Sequence, residues 1–283
     1  MERRAYGKTG ETLSVVGFGG IIVMNEEPAN AARMVKHAVE RGVTYFDVAP
    51  SYGDAEEKLG PALAPFRRDV FLACKTGKRT APEAAAELES SLAKLKTDHL
   101  DLYQHHAVTT VDEVKTIFGP GGAMETFVKA RKDGKVRHLG FSAHSEEAAL
   151  ALMDGYSFDS ILFPFNWACW MKGGFGQPVM ARAREKGMAL LALKTLAKRK
   201  WREGEEKTWP KCWYKPVDTV EEARAAVRFT LSMPITAGVS PGHFELFQWM
   251  CDAAENIGPL GGAEEEALAA QAAGLDVIFA EQH

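Results

Sequence analysis

Short apolar runs rich in β-branched and aromatic residues alternate along the chain with longer stretches whose apolar positions recur at helical spacing. Strands are predicted at 15–18, 43–48, 69–74, 99–105, 136–141, 158–163, 188–193 and 234–239. Helices are predicted at 29–40, 82–96, 123–132, 145–153, 179–186, 219–231, 244–254 and 263–273. Several ends carry recognisable stop and start chemistry. Arg41-Gly42 ends the first helix, Pro82 lies in the first turn of the second with Glu83 and Glu87 close behind, and Ser145 caps the fourth. Strict strand–helix alternation implies parallel strands joined by right-handed crossovers. Eight such units in 283 residues suit a closed (β/α)8 TIM barrel, which runs to about 250 residues, better than an open doubly wound sheet. No Gly-x-Gly-x-x-Gly follows a strand and no P-loop occurs, so the open-sheet nucleotide folds lack their signature.

The polar stretch before the first strand reads as a hairpin plug. After the last barrel helix, Gly258-Pro259-Leu260-Gly261-Gly262 breaks the chain. A Glu/Ala-rich helix then stops at Gly274, and the largely apolar tail 275–280 must pack on something, plausibly over one mouth of the barrel. The whole chain, 1–283, reads as one barrel domain.

Composition narrows the class of function. Apolar residues make up 46% and charged residues 25%, as in an ordinary globular protein. Lys and Arg number 34 against 38 Asp and Glu, a net charge of −4, which lacks the basic stripe of a nucleic-acid binder. The densest apolar run, 188–193, is far below the ~18 residues of a membrane span, and the first residues lack the apolar core of a secretory signal. Cys74, Cys169, Cys212 and Cys251 are scattered, with neither metal-ligand spacing nor a disulfide framework, which points to a reducing cytoplasm and no metal. The oligomeric state is not legible.

In a TIM barrel the active site lies at the C-terminal ends of the strands. The polar residues there are Asp47 and Tyr52, Lys75, His105 and His106, Ser142 and His144, Asn166 and Lys194. A lysine ending an apolar strand must be paired or solvated, because an isolated buried ammonium is costly. Asp47, on the adjacent strand, is its natural partner. A cation beside a tyrosine favours the phenolate and lowers the phenol's pKa from ~10. A tyrosine so tuned serves as general acid towards a carbonyl oxygen, and as base in reverse. A histidine beside it orients the same oxygen. Taken singly, each residue has a plainer reading: a structural ion pair, a packed tyrosine, a strand-end histidine. It is their joint placement that points to chemistry.

Those residues sit in motifs that resemble the aldo-keto reductase family. Gly17-Phe18-Gly19-Gly20, Phe46-Asp47-Val48-Ala49-Pro50-Ser51-Tyr52-Gly53, Ala73-Cys74-Lys75-Thr76 and Asp101-Leu102-Tyr103-Gln104-His105-His106 follow in order at fitting spacing, and 135–142 resembles the family's fifth strand. The resemblance runs to about Gln248. It implies Tyr52 as proton donor with Asp47, Lys75 and His106 completing the set. It also implies a small-molecule carbonyl substrate and a nicotinamide cofactor, NADP(H) by family default with NAD(H) open. A nicotinamide is needed because no side chain carries a hydride.

The implied cofactor contacts are Gly20, Ser142, Lys194, Thr195, Leu196, Gly238, Ser240, His243 and Gln248, with Ser142 matching the carboxamide-holding position. Three positions depart from the common pattern: Ala143 replaces an Asn, Leu162 a Gln, and 193–196 lacks the stacking aromatic and instead resembles a branch with Met-Lys-Pro-Leu. Ser240-Pro241 reads as the start of a helix whose N–H groups suit a phosphate, with an ordinary capped helix as the plain reading. Lys198-Arg199-Lys200-Trp201-Arg202 could clamp phosphates or be a solvated basic loop. Trp167, Trp170, Trp209, Trp213 and Tyr214 lie on loops that would wall the pocket, favouring an apolar or aromatic carbonyl. An active reductase, a non-catalytic or nearly inactive cofactor-binding sensor and a barrel enzyme using the same acid–base set without hydride transfer all remain open.

Overall fold

The computed structural model describes residues 1–255, 258 and 260–280, so Pro259 in the predicted break lies outside the described residues. In chain order the strands are β1 (Arg3–Ala5), β2 (Thr12–Ser14), β3 (Val16–Gly19), β4 (Tyr45–Asp47), β5 (Phe71–Thr76), β6 (Leu100–Val108), β7 (Val136–Ala143), β8 (Ser160–Phe163), β9 (Ala189–Ala192), β10 (Ala197–Arg199), β11 (Lys215–Pro216) and β12 (Ala237–Val239). The helices are α1 (Pro28–Glu40), α2 (Ala55–Leu63), α3 (Ala81–Leu95), α4 (Val111–Phe118), α5 (Ala123–Lys132), α6 (Glu146–Gly155), α7 (Trp167–Gly173), α8 (Gln177–Lys186), α9 (Val220–Ser232), α10 (Phe244–Glu255) and α11 (Gly262–Ala273).

Eight parallel strands close in the order β12-β3-β4-β5-β6-β7-β8-β9, the predicted (β/α)8 barrel. Two apolar clusters follow from the alternation of side chains along each strand. The larger lies between strands and helices; the smaller fills the lumen with Tyr6, Leu13, Tyr45, Phe71, Ala73, Leu102, Leu162, Leu191 and their neighbours. The β1–β2 hairpin closes the strands' N-terminal end as a plug, Tyr6 donating its hydroxyl proton to Ser160 Oγ at 2.7 Å.

The opposite end is covered partly by the expected helix and apolar tail and partly by segments the apolar pattern did not announce. The antiparallel β10–β11 pair and α7 rise from the loops after β9 and β8. α11 packs on α7 and α9, and the tail follows it, Lys172 Nζ donating to Leu275 O and the Lys200 amide to Asp276 O at 2.9 Å. Phe279 then stacks on Phe175, with centroids 5.3 Å apart, above the mouth. α2 was hidden by Gly60-Pro61 in its middle. That glycine is a packing requirement, since a Cβ there would lie 2.6 Å from the Leu95 backbone. α4 had its signal in Thr110-x-x-Glu113, a capping box present in the structure.

Asp101 fixes the registration of the strands that carry the site. Its carboxylate accepts from the Leu72 amide, Arg67 and Arg137, each at 2.9 Å, and is 3% exposed. Removing one partner from a buried ionic network strands the others. Asp101→Ala is therefore expected to cost roughly 3–5 kcal/mol, read as a lower urea midpoint at unchanged m value; an unchanged midpoint would show that packing alone sets the register.

Candidate active site

Asp47 ends β4, and Lys75 and Gln104 are register partners near the ends of β5 and β6. Ala73 and Leu102, two residues earlier, face the lumen, so the period of two aims Lys75 and Gln104 inward as well. Lys75 Nζ donates to Asp47 Oδ1 and, at 3.1 Å, to Val48 O. Asp47 Oδ2 accepts from Tyr45 Oη and Gln104 Nε2, both at 3.0 Å. Lys75 and Asp47 are 1% and 2% exposed, so this pair depends on that complete set of partners.

Tyr52 lies in the loop after β4, and the Lys75 ammonium stands 5.4 Å from its ring centroid. The His106 ring meets the Tyr52 ring edge-on at 5.9 Å, and Asp47, Tyr52, Lys75 and His106 all line one cavity of about 190 Å³. Of the two adjacent histidines, His105 points outward and stacks on Phe127 at 3.8 Å. His106 is displayed by an irregularity at the end of β6, where the β6–β7 register shifts and Ala107 adopts a left-handed φ of 51°. Arg79 holds that turn by donating to His106 O at 2.7 Å and to Glu113 at 2.9 Å.

The electrostatics differ from the sequence expectation at Tyr52. Burial pushes its phenol above the ordinary value, and Lys75, pulling it down, does not fully compensate. The resting phenol is thus firmly protonated, while the ammonium awaits the phenolate. Burial alone would lower the Lys75 pKa, yet Asp47 and the phenol raise it, so the cation persists. Burial, then the Lys75 and Lys194 cations, bring His106 down to about 3, leaving a neutral imidazole.

The implied cofactor positions divide. Ser142, Lys194 and Ser240 line the cavity with Leu162, Leu193 and Val239. Gly20, Thr195, Leu196, Gly238, His243 and Gln248 do not. Leu196 is fully buried in the core between strands and helices. Gly238 admits no larger residue easily, a Cβ there meeting Thr195 Oγ1 at 3.0 Å, and at Gly20 a Cβ would meet Val48 at 2.8 Å. α10 begins at Phe244, so Ser240 and Pro241 precede the helix rather than starting it. Ser240 Oγ instead accepts the Gly19 amide at 3.0 Å, clipping β12 to β3. His243 Nε2 accepts the Lys211 amide at 3.1 Å and faces Trp209.

The basic loop is neutralised internally: Lys198 pairs with Asp218 and Glu222, Arg199 with Glu205, and Lys200 with Asp276. Of the aromatic residues expected at the pocket, Trp213 and Tyr214 line it, while Trp167, Trp170 and Trp209 do not. Sequence reasoning missed Tyr45 and Gln104, which it took for ordinary strand residues. It also missed Lys211, which bridges the mouth to Ile22 O at 2.7 Å and Glu26 at 2.8 Å.

The donor set fits the amide end of a nicotinamide. Ser142 Oγ accepts the Ala107 amide at 2.8 Å, leaving its own proton to donate, and the Leu162, Leu193 and Val239 walls suit a flat ring. Thr195 Oγ1 is buried with no partner among the described residues. A space of 190 Å³, under the roughly 300–1,000 Å³ of drug-sized pockets, takes that ring or a small carbonyl but not a whole dinucleotide. Among the described residues, no cluster of His, Cys, Asp and Glu could hold a metal, and no helix is long and apolar enough to cross a membrane.

Comparison with known proteins agrees with this architecture. The chain matches the aldo/keto reductase family model over residues 16–272. It is 31% identical over 180 residues to the uncharacterized oxidoreductase YqkF of Bacillus subtilis, covering 59% of this chain and 56% of that protein. It is 30% identical over 169 residues to 6-dehydroglucose reductase of Novosphingobium aromaticivorans, covering 53% and 54% respectively. The chain thus spans about half the length of these curated relatives. The holo form of aldo-keto reductase AKR11C1 from Bacillus halodurans superposes with a TM-score of 0.76 at 22% identity, over 97% of this chain and 98% of that one. The thermostable aldo-keto reductase Tm1743, in complex with the inhibitor epalrestat, gives 0.69 at 18% identity, over 96% and 100%. At such identities the structural likeness is one of fold. The family pattern, however, takes in the sequence from the start of β3 nearly to the end of α11, and the chain belongs to the aldo/keto reductase family of oxidoreductases.

Proposed function

We propose that the protein reduces a small aldehyde or ketone with NADPH, NADH being the alternative donor, in the cytoplasm and as a single barrel domain. The observation that carries this reading is the buried Asp47–Lys75 pair set beside Tyr52 and His106 at one cavity. The nicotinamide, when bound, supplies the hydride. Ser142 would hold its carboxamide against the Leu162 and Leu193 wall. Gly20, Thr195, Leu196, Gly238, Ser240, His243 and Gln248 are the further family positions for the cofactor.

The chain's own residues then manage the oxygen. Neutral His106 orients the carbonyl by hydrogen bonding. Tyr52, kept protonated by burial, donates to the oxygen as it gains charge, and Lys75 stabilises the phenolate left behind. Asp47 holds Lys75 in place and in its charged form. A second reading, a cofactor-binding sensor with little turnover, is favoured by Ala143 and Leu162 where the family commonly has amide side chains.

Tyr52→Phe is expected to lower kcat about 10²–10⁴-fold with the NADPH dissociation constant, read by fluorescence titration, unchanged. Undiminished turnover would mean another group is the acid, and binding without turnover in the wild type would favour the sensor. Since His106 stays neutral down to about pH 3, His106→Asn should reduce kcat/KM by a similar factor at pH 5 and pH 8. A loss confined to low pH would identify the imidazolium as the working form.

A further inference from the structure

We propose that the physiological substrate is a short carbonyl compound bearing a carboxylate, and that Lys194 receives that carboxylate. This rests on the reductase reading and adds to it a substrate class, reassigning Lys194 from the family's cofactor positions to the substrate. Lys194 follows β9 with φ at 64°, a left-handed conformation that costs a non-glycine residue energy. Asn166 Nδ2 donates to Lys194 O at 2.8 Å, and the Ala197 amide donates to the same oxygen at 2.9 Å. Asn166 is itself fully buried and also bonds Ala197 O and the Cys169 amide, so the turn is rigidly built.

What the turn presents is an ammonium without a counter-ion. Lys194 lines the same cavity as Tyr52, Lys75 and His106. Its Nζ lies 3.1 Å from His144 Nε2 and over the rings of Trp213 and Phe279, at 5.4 and 5.6 Å. No carboxylate among the described residues pairs with it. Asp47, the acid lining the cavity, is taken by Lys75, Tyr45 and Gln104, and Lys211 has Glu26. Among the described residues, Lys194 is therefore a basic group of the cavity with no acidic partner, walled by aromatic rings and imidazoles.

The consequence shows in its acidity: burial first, with Lys75 adding repulsion, brings the Lys194 amine down to about 7. An anion entering the cavity reverses that loss. Packing alone does not call for an ammonium here, since a methionine would fill the space beside Trp213 and Phe279 without the cost of desolvation. Tyr52 and Lys194 line one cavity of about 190 Å³, so a substrate that meets both joins its carbonyl to its carboxylate by a short chain.

The test compares 4-oxobutanoate with 4-oxobutanamide, equal in length and differing in charge. The wild type should prefer the acid in kcat/KM, and Lys194→Met should lower the acid-to-amide ratio of kcat/KM roughly ten- to hundredfold, with the NADPH dissociation constant read beside it. Lys194→Arg should restore much of the preference, which also controls for folding. Equal losses for acid and amide would overturn the proposal in favour of packing. Weakened NADPH binding with the preference intact would overturn it in favour of a cofactor phosphate. Reduction of the amide without any preference for the acid would leave the reductase reading standing and remove this one. If neither compound is reduced, succinate against succinamide, titrated by intrinsic tryptophan fluorescence in wild type and Lys194→Met, decides the carboxylate site separately: succinate binding lost with the lysine supports it, and equal binding of both ligands removes it.

Discussion

The structure turns on an ion pair taken out of water. Two opposite charges sealed inside a barrel lose solvation that their mutual attraction repays only when the remaining donors and acceptors are also met. Lys75 and Asp47 meet that condition through Val48 O, Tyr45 Oη and Gln104 Nε2. Four consecutive barrel elements, β4, the loop after it, β5 and β6, are thereby tied to one carboxylate and one ammonium. Replacing the pair with apolar residues of like volume is often neutral or stabilising in such cases, so its presence here is explained by the phenol beside it. Burial raises the Tyr52 pKa and Lys75 opposes the rise. The result is a phenol that keeps its proton at rest, with an ammonium beside it that opposes the effect of burial.

The rest of the mouth follows from how loops are held rather than from the barrel. Two non-glycine residues in left-handed conformation, Ala107 and Lys194, flank the site, one just after His106 and the other itself a lining residue. Each is pinned by a side chain from elsewhere: Ser142 Oγ accepts the Ala107 amide, and Asn166 donates to Lys194 O. Strain of this kind persists only where the surroundings over-determine it, and it concentrates at functional sites. Over this floor lie two covers, the Lys211 bridge to Glu26 and the tail bearing Phe279. Phe279 contacts His144, Phe175 and Trp213, so the end of the described chain closes the wall that Lys194 faces.

The barrel was readable because its cause is periodic. Apolar runs of strand length separated by capped amphipathic helices leave few topologies, and every predicted strand has its counterpart in the barrel. The placement of Asp47, Tyr52, Lys75 and His106 at one mouth was legible because strand ends in this fold converge, and the family resemblance singled these four out from the other polar strand-end residues. What the pattern could not reveal was partnership across elements. Tyr45 and Gln104 read as strand residues, and nothing local marks them as ligands of Asp47. Gly60-Pro61 hid α2, because a close approach to Leu95 overrode the usual meaning of those residues. Ser240-Pro241 suggested a helix start, but tertiary contact claimed the serine for Gly19. The basic run at 198–202 was legible equally as a phosphate clamp or a solvated loop, and its acidic partners, up to 76 residues away, are invisible locally. The Tyr52 shift was misjudged in sign because sequence shows the neighbouring cation but not the depth of burial.

The account's central claim is that Asp47, Lys75 and Tyr52 act as one unit rather than as separate contributors. A double-mutant cycle between Asp47→Asn and Tyr52→Phe in NADPH-dependent carbonyl reduction tests this directly, because groups acting together give grossly non-additive losses. The double variant is predicted to be no slower than Tyr52→Phe alone. Losses that simply multiply would contradict the account and show that the ion pair supports the barrel without governing the phenol.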